Sequence, residues 1–329
     1  MPNAPRVGRR ILLVATMRNE GPYVLEWVAY HRACGFTDVL ICTNGCIDDS
    51  PRLLDRLEEL GMAFHIRNDV PEGHEAQLSG YALAEKHPVM QGAEWALVLD
   101  GDEFLNVHVG QGNVNDLIDA VPGATAVLVN WRVFGSSGHT TWQPGFVTER
   151  FTRAAALESG VNLPFKTLFT CIEAYHCKLL PHQPRFPIDP GKQVLRYVDG
   201  AGRALPSYFF DESRDAFLQS EEGSVSWRLA QINHYNTRTR EDYLVKHQRT
   251  DGLNAKWDRD ACWPVFDRNE EEDRTIVDKL AATRKLLASM LSDTILRERH
   301  DRCCELYGRH IGRLRAEESS RSLFELSAR

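Results

Sequence analysis

The stretch Trp95-Ala-Leu-Val-Leu-Asp100-Gly-Asp102-Glu-Phe-Leu105 decides how this chain is read. The apolar run Trp95–Leu99 shows no polar alternation, as a short strand covered on both faces requires, and such strands belong to parallel sheets. The run stops at two carboxylates spaced i and i+2 around a glycine. Asp and Gly are ordinary turn residues, so the same letters can simply close a strand. The difference is energetic: acids clustered at the end of a buried strand lose hydration, and a cation or several donors must compensate. Carboxylates are the hard oxygen ligands that Mg²⁺ or Mn²⁺ prefers, and a glycine between them lets a diphosphate approach the backbone.

Toward the N-terminus, Ile11–Thr16 is a second unbroken apolar run and reads as another buried strand. After the polar loop Arg18-Asn19-Glu20-Gly21-Pro22, the residues Tyr23, Trp27, Tyr30 and Cys34 recur at helical spacing until Gly35. Val39–Thr43 reads as a strand and Asn44–Ser50 as a turn; Pro51 then opens a helix carrying Leu53, Leu54, Leu57 and Leu60, ended by Gly61. Ala63–Ile66 is a strand, and Glu75–Lys86 a helix. This alternation predicts an α/β domain, a Rossmann-like and mostly parallel sheet flanked by helices. Ligands of such sheets bind beyond the carboxyl ends of the strands. The mostly polar segments Met17–Glu20, Asn44–Asp49, Arg67–Asp69 and Asp100–Glu103 fall there, so a nucleotide site is expected along that edge.

Toward the C-terminus, Asn113–Val121 reads as a short helix, Ala126–Phe134 as a strand and Gly135–Gly138 as a turn. The stretch up to residue 230 is irregular and rich in Pro and aromatics, with strand-like pieces at Phe146–Phe151 and Leu168–Ile172. Residues 270–316 are charged and helical, with Leu280, Leu287, Leu291 and Leu296 on the apolar side, and predict an appended helical hairpin.

Bulk properties narrow the function classes. A chain of 329 residues with 43% hydrophobic and 26% charged residues fits a globular α/β domain with an extension. A net charge of −7 argues against a nucleic-acid partner bound through a broad basic face. The eight cysteines are scattered, and neither Cys42-x₃-Cys46 nor Cys171-x₅-Cys177 makes a tight zinc knuckle, so they read as free thiols of a reducing compartment. Ile11–Ala15 is too short for a signal peptide, and no run approaches the roughly 20 apolar residues of a membrane span. The expectation is a soluble, cytoplasmic protein without a transmembrane segment, with room for peripheral membrane contact.

Three chemistries use an acidic motif of this kind. In haloacid-dehalogenase-like phosphatases an Asp-x-Asp follows an apolar strand, but that strand opens the domain, whereas several strands precede this one. Asp100-Gly-Asp-Glu-Phe104 echoes the signature of diguanylate cyclases, whose other landmarks are missing. In the third, the Asp-x-Asp motif of metal-dependent glycosyltransferases, the motif follows an N-terminal nucleotide-binding half, as here.

Further segments point the same way. Thr16-Met-Arg-Asn19-Glu20-Gly-Pro-Tyr23-Val-Leu-Glu26-Trp27-Val-Ala-Tyr30-His31-Arg-Ala-Cys-Gly35 resembles the opening of family-2-like glycosyltransferases related to family 92. Thr43-Asn44-Gly-Cys-Ile-Asp48-Asp49-Ser50 is similar to that group's second nucleotide loop. Asn130-Trp131-Arg-Val-Phe134-Gly135-Ser-Ser-Gly138, Glu149-Arg150-Phe151, Phe165-Lys166-Thr167 and Asn233-His234-Tyr235, followed by Glu241–Lys246, also match in order. The resemblance spans roughly residues 10–250 and leaves out the C-terminal helices.

The resemblance implies a GT-A fold, a nucleotide-sugar donor (a UDP-sugar foremost), Mn²⁺ or Mg²⁺, and a carbohydrate-type acceptor: a polysaccharide, a lipid-linked glycan or a protein. It divides the chain into a tail at 1–10, a transferase domain at 11–250 and a helical extension at 251–329. Within the domain, 11–105 is the nucleotide-binding half and 106–250 the acceptor half. Carried over, Arg18, Asn19 and Glu20 border the nucleotide, and Asn44 and Asp48 lie beside the base. Asp100 sits near ribose or metal, Asp102 binds the metal, and His234 completes its shell, with His182 and His176 as rivals. Lys166 neutralises the leaving diphosphate, and Trp131, with Phe134, stacks on a sugar. Each also has a plainer reading: a core histidine, a surface lysine, core aromatics. Glu149 is the expected catalytic base, with Asp189, Asp211 and Glu212 as competitors. Glu241-Asp242 resembles the acidic pair of inverting enzymes, yet Thr239-x-x-Asp242 reads more economically as a helix capping box. The chain departs from the pattern at Asn44, where an Asp is usual, and after Lys166, where Thr-Leu-Phe-Thr-Cys is less charged. A haloacid-dehalogenase-like phosphatase and a sugar-nucleotide-binding module without catalysis remain the alternatives.

Overall fold

The computed structural model describes residues 8–70, 74–171, 178–185, 195–206, 220, 225–247 and 259–327. Strand β1 (Ile11–Met17) pairs in parallel with β2 (Asp38–Thr43) on one side and β4 (Trp95–Val98) on the other, and β2 pairs in parallel with β3 (Phe64–Arg67). Helices α1 (Gly21–Ala33) and α2 (Ser50–Glu59) are packed on one face; α3 (Ala76–Lys86) and the short α4 (Pro88–Gln91) are packed on the other. Alternate residues of β1 therefore enter two cores. Ile11, Leu13 and Ala15 join Trp27, Val28 and Leu54, whereas Leu12 and Val14 join Tyr81, Ala84 and Val89. That double burial is why the strand has no polar alternation.

Beyond β4 the chain turns through Asp100–Asp102 into β5 (Glu103–Val107), a strand not anticipated from the sequence. It leaves β4 and forms the far end of the sheet. Helix α5 (Val114–Asp119), started by a capping box between Asn113 and Asp116, leads to β6 (Ala126–Val133). Next come α6 (Val147–Arg150), β7 (Arg153–Ala154), β8 (Phe165–Thr170) and β9 (Tyr197–Val198). Then follow β10 (Ala230–His234), α7 (Arg240–His247), α8 (Arg259–Phe266) and β11 (Glu271–Glu272). The sheet order is β3-β2-β1-β4-β8-β6-β10-β5, with β9 beside β6 and a separate β7–β11 pair. Parallel pairing holds through β3–β4; β8 is antiparallel to both β4 and β6, and β10 is antiparallel to β5, so the whole is a mixed sheet.

Two expectations need correction. Phe146–Phe151 is not strand-like: residues 147–150 form α6, because the Glu26 carboxylate accepts the N–H groups of Val147 (2.6 Å) and Thr148 (3.1 Å) and starts the turn. The piece read at Leu168–Ile172 begins earlier, at Phe165, which places Lys166 inside the sheet. Strand β10 escaped notice because Gln231 and Asn233 interrupt its apolar pattern. Both are buried, and the Gln231 amide satisfies itself on Asn233 and Asp273, each at 2.8 Å.

The C-terminal helices α9 (Leu280–Met290) and α10 (Thr294–Ser327) return to the α1–α2 face. Leu280, Leu296, Cys303 and Tyr307 belong to the same core cluster as Trp27 and Leu54. Gly21 marks the closest approach, since a Cβ there would lie 2.7 Å from that of Cys303. No helix among the described residues is long and apolar enough to cross a membrane.

Candidate active site

The acidic turn sits at the carboxyl end of β4, and its two aspartates have different partners. Asp100 Oδ2 accepts from Lys166 Nζ at 2.8 Å, and its Oδ1 accepts from Gln77 Nε2 at 3.1 Å. Lys166 lies 3.0 Å from Glu103 as well, and its side chain is fully buried. Burial pulls the Lys166 ammonium down, but Asp100 and Glu103 outweigh it and raise it above the ordinary value. Burial, helped by Asp100 and Asp102, pushes the Glu103 carboxyl up to about 8 against the pull of Lys166. Lys166 thus lies between two carboxyl groups, one of which, Glu103, burial drives toward its protonated form. The expectation that Lys166 meets a leaving diphosphate, and the plainer one of a surface lysine, both give way. This lysine fixes the acidic turn from inside the sheet.

Asp102 faces the other way. Its Oδ2 accepts from Lys246 Nζ at 2.6 Å, and its Oδ1 lies 3.8 Å from His234 Nε2. Burial alone would raise this carboxyl; Lys246, His234 and Arg238 outweigh it and hold it well below the usual carboxylate range. The pairing of β10 with β5 brings His234 opposite Glu103 and so next to the turn. Burial lowers the His234 imidazole to about 4, against the pull of Asp102, so it is neutral and able to ligate at physiological pH. Its Nδ1 is buried without a hydrogen-bond partner among the described residues, and so is Nε1 of Trp131, whose ring centroid lies 4.2 Å from that of His234.

Arg238 closes the site from the segment before α7. It donates to Glu20 (2.9 Å) and to the Gly101 carbonyl (3.3 Å), and its guanidinium lies 3.8 Å from the centre of the Tyr23 ring. Gly101 makes room for this arrangement, because a Cβ there would come within 3.1 Å of Glu20 Cγ. The next turn is held by the expected capping box. Thr239 N–H donates to Asp242 Oδ2 (3.1 Å), and Asp242 N–H donates to Thr239 Oγ1 (3.1 Å). The other oxygen of Asp242 accepts from Tyr23 and, at 2.8 Å, from Tyr307 of α10.

Asn19, Glu20, Asp102, Arg238 and Lys246 line a narrow cleft of about 10 Å³. A larger one of about 330 Å³ adjoins it, sharing Asn19, Val245 and Tyr307 and reaching Asp48 and the α10 residues Arg309 and His310. Asn19, at a left-handed φ of 58° that asparagine tolerates, accepts from Ile47 N–H at 2.8 Å and links the loops after β1 and β2. Asp48 is a buried anchor more than a free ligand: it accepts the N–H of Gly21 (2.8 Å) and of Ser50 (3.1 Å), serving the starts of both α1 and α2. Arg18 donates to Gly45 O at 3.2 Å, and Asn44 donates to Asn68 O at 2.7 Å, so both spend contacts on neighbouring loops.

The structure does not bring Glu149 to the turn. It lies on α6, where Arg284 of α9 holds its carboxylate. The carboxylate expected to act as base is thus paired with Arg284. His182 stands behind Trp131, with ring centroids 5.7 Å apart, and its Nδ1 contacts Phe165 O at 2.9 Å. His176, Asp189, Asp211 and Glu212 lie outside the described residues. Arg238 and Lys246 are the residues that sequence reasoning missed. Their signal was a run of basic side chains directly after Asn233-His234-Tyr235.

Among the described residues no group of three or more His, Cys, Asp or Glu side chains could by itself hold an ion. Asp102 and His234 supply two donors, an oxygen that lines the cleft and a nitrogen 3.8 Å behind it. Mg²⁺-type ions keep waters and substrate phosphates in their shells, so a two-residue protein share suits a cation that arrives with a diphosphate. Asp100, engaged by Lys166 and Gln77, is not brought to that pair.

No family model matches the chain. A glycosyltransferase family 92 protein of Ricinus communis is 28% identical over 134 residues, which cover 39% of this chain and 23% of that protein. The chain is similar to a family-92 glycosyltransferase. It spans less than a quarter of that relative's length. Among solved structures, S. aureus TarS 1–349 matches with a TM-score of 0.31 and 13% identity, covering 49% of this chain and 47% of TarS. The same fragment in complex with UDP scores 0.31. HddC from Yersinia pseudotuberculosis scores 0.32 at 12% identity, covering 58% of this chain and 90% of that one. Neither likeness is close enough to place a residue.

Proposed function

We propose that this chain is a glycosyltransferase that moves a sugar from a nucleotide-sugar donor, a UDP-sugar foremost, to a carbohydrate-type acceptor. The observation that carries the reading is Asp102. It is a buried carboxylate kept ionised at the carboxyl edge of the sheet, beside a neutral His234, in a cleft that reaches the loops after β1 and β2. A buried charge at that place has a cost, which Lys246 and Arg238 offset in the empty cleft and a phosphate-bound cation would offset on binding. The likeness to the Ricinus communis protein supports the same reading.

Asp102 and His234 would hold Mn²⁺ or Mg²⁺, which supplies charge neutralisation for the departing diphosphate. The chain's own residues do the rest. Lys166 fixes Asp100 and Glu103, and with them the turn that carries Asp102. Arg238 holds Glu20 and adds fixed positive charge next to Asp102, a preorganised dipole for the phosphates. Trp131 packs against His234 and keeps its ring from turning.

The test is a thermal-shift screen of UDP-, GDP-, CMP- and dTDP-sugars with and without Mn²⁺. A donor at a hundredfold excess over its Kd should stabilise the fold by about 2.7 kcal/mol. The shift is expected only with the cation present. If no nucleotide sugar moves the melting temperature under either condition, the reading fails.

A further inference from the structure

Two cations approach Asp102, and they differ in freedom. Arg238 is locked by Glu20, by the Gly101 carbonyl and by the face of Tyr23. Lys246 has three contacts too, its Nζ meeting Asp102 Oδ2 at 2.6 Å, Asn236 O at 3.4 Å and Asn236 Oδ1, but it is far more exposed than Arg238. Its side chain is 31% exposed, against 9% for that of Asp102, so of the two residues lining the cleft the lysine is the more accessible. A lysine carries a compact charge on a flexible stem and can change partner without moving its helix. It also stands on the very carboxylate that a divalent ion would need.

We infer that Lys246 is an exchangeable counter-ion, resting on Asp102 while the cleft is empty and moving to the donor's diphosphate once a divalent cation takes that carboxylate. The inference rests on the glycosyltransferase reading above. Charge bookkeeping supports it. Asp102 and Lys246 neutralise each other in the empty cleft, and Glu20 answers Arg238. A dication entering alone would displace Lys246 into a cleft that already holds Arg238, and like charges would repel. A dication entering with a diphosphate brings the anion that Lys246 then binds. The chain should therefore take up the ion weakly by itself and well with the nucleotide.

The test measures Mn²⁺ binding by electron paramagnetic resonance, with and without UDP, for the unaltered chain, Lys246→Met and Lys246→Arg. UDP is expected to tighten Mn²⁺ binding to the unaltered chain by a factor within the range of about 5 to 150 usual for coupled sites. Lys246→Met should bind Mn²⁺ alone more tightly, UDP with Mn²⁺ less tightly, and lose most of the coupling. Lys246→Arg keeps a cation and should keep the weak uptake of the ion alone, which separates loss of competition from altered folding. If Lys246→Met binds Mn²⁺ alone no better than the unaltered chain, or retains the full coupling, the inference is overturned while the reading stands. If the unaltered chain takes up no Mn²⁺ even with UDP present, both fall.

Discussion

Lys166 and Asp102 show how differently two charges of one short turn can be used. Lys166 is buried with Asp100 and Glu103, and removing one partner of such a cluster leaves charge stranded in the interior. Lys166→Met is expected to lower stability by about 3–5 kcal/mol, read from urea unfolding, whatever happens to turnover. Asp102→Asn should instead leave the fold cooperative and abolish Mn²⁺ uptake in the presence of UDP, as calorimetry would show. Glu149, held by Arg284 away from the turn, gives the opposite expectation: Glu149→Gln should keep turnover within a few-fold of the unaltered chain. The acidic pair and His234 were legible as letters because a strand end with Asp-x-Asp, and a histidine within a matched segment, advertise themselves. What each aspartate contacts was not. The partners Lys166 and Lys246 are 66 and 144 residues away along the chain, brought in by strand β8 and by helix α7.

Between elements, His31 carries an analogous burden. Its Nδ1 contacts Trp27 O at 2.9 Å within α1, and its Nε2 accepts the N–H of Leu105 in β5 at 3.3 Å. One nitrogen must therefore stay unprotonated to tie helix to strand. Burial lowers this imidazole to about 3, against an ordinary 6.5. An unfolded chain takes up a proton through the interval that the folded chain refuses, so stability should fall as pH drops from 6.5 toward 3. His31→Phe should remove one proton's share of that slope between pH 7 and pH 4.5, and cost about 1–3 kcal/mol for the orphaned N–H of Leu105. Urea midpoints across that range check both. Elements with double apolar cover, β1, β2 and β4, could be read directly from their unbroken runs. Strand β10 could not, because its buried polar side chains satisfy one another in three dimensions. Helix α6 could not either, since the carboxylate that starts it comes from α1.

At the scale of the molecule, α9 and α10 are not an ornament on a finished domain. They share a core with α1 and α2, and Tyr307 reaches the same oxygen of Asp242 as Tyr23 does. A chain truncated before Thr294 would uncover the start of α1 and lose one wall of the cleft. It is expected to melt without a sharp transition and to bind no UDP in the presence of Mn²⁺, seen by calorimetry and by loss of the near-ultraviolet dichroism of its aromatic groups. Sequence reading placed a helical hairpin in this region and had no means to say what it covers. Its apolar side fits many partner surfaces, and contacts distant in sequence, Gly21 with Cys303 and Tyr307 with Asp242, fix which.

The placement of Tyr307 has a consequence for biosynthesis. Every segment that supplies the acidic turn leaves the ribosome before α10, yet the cleft lacks a side until that helix has docked. A nascent chain would carry Asp102 and Lys246 early and lack this wall of the cleft until α10 has been made and has docked.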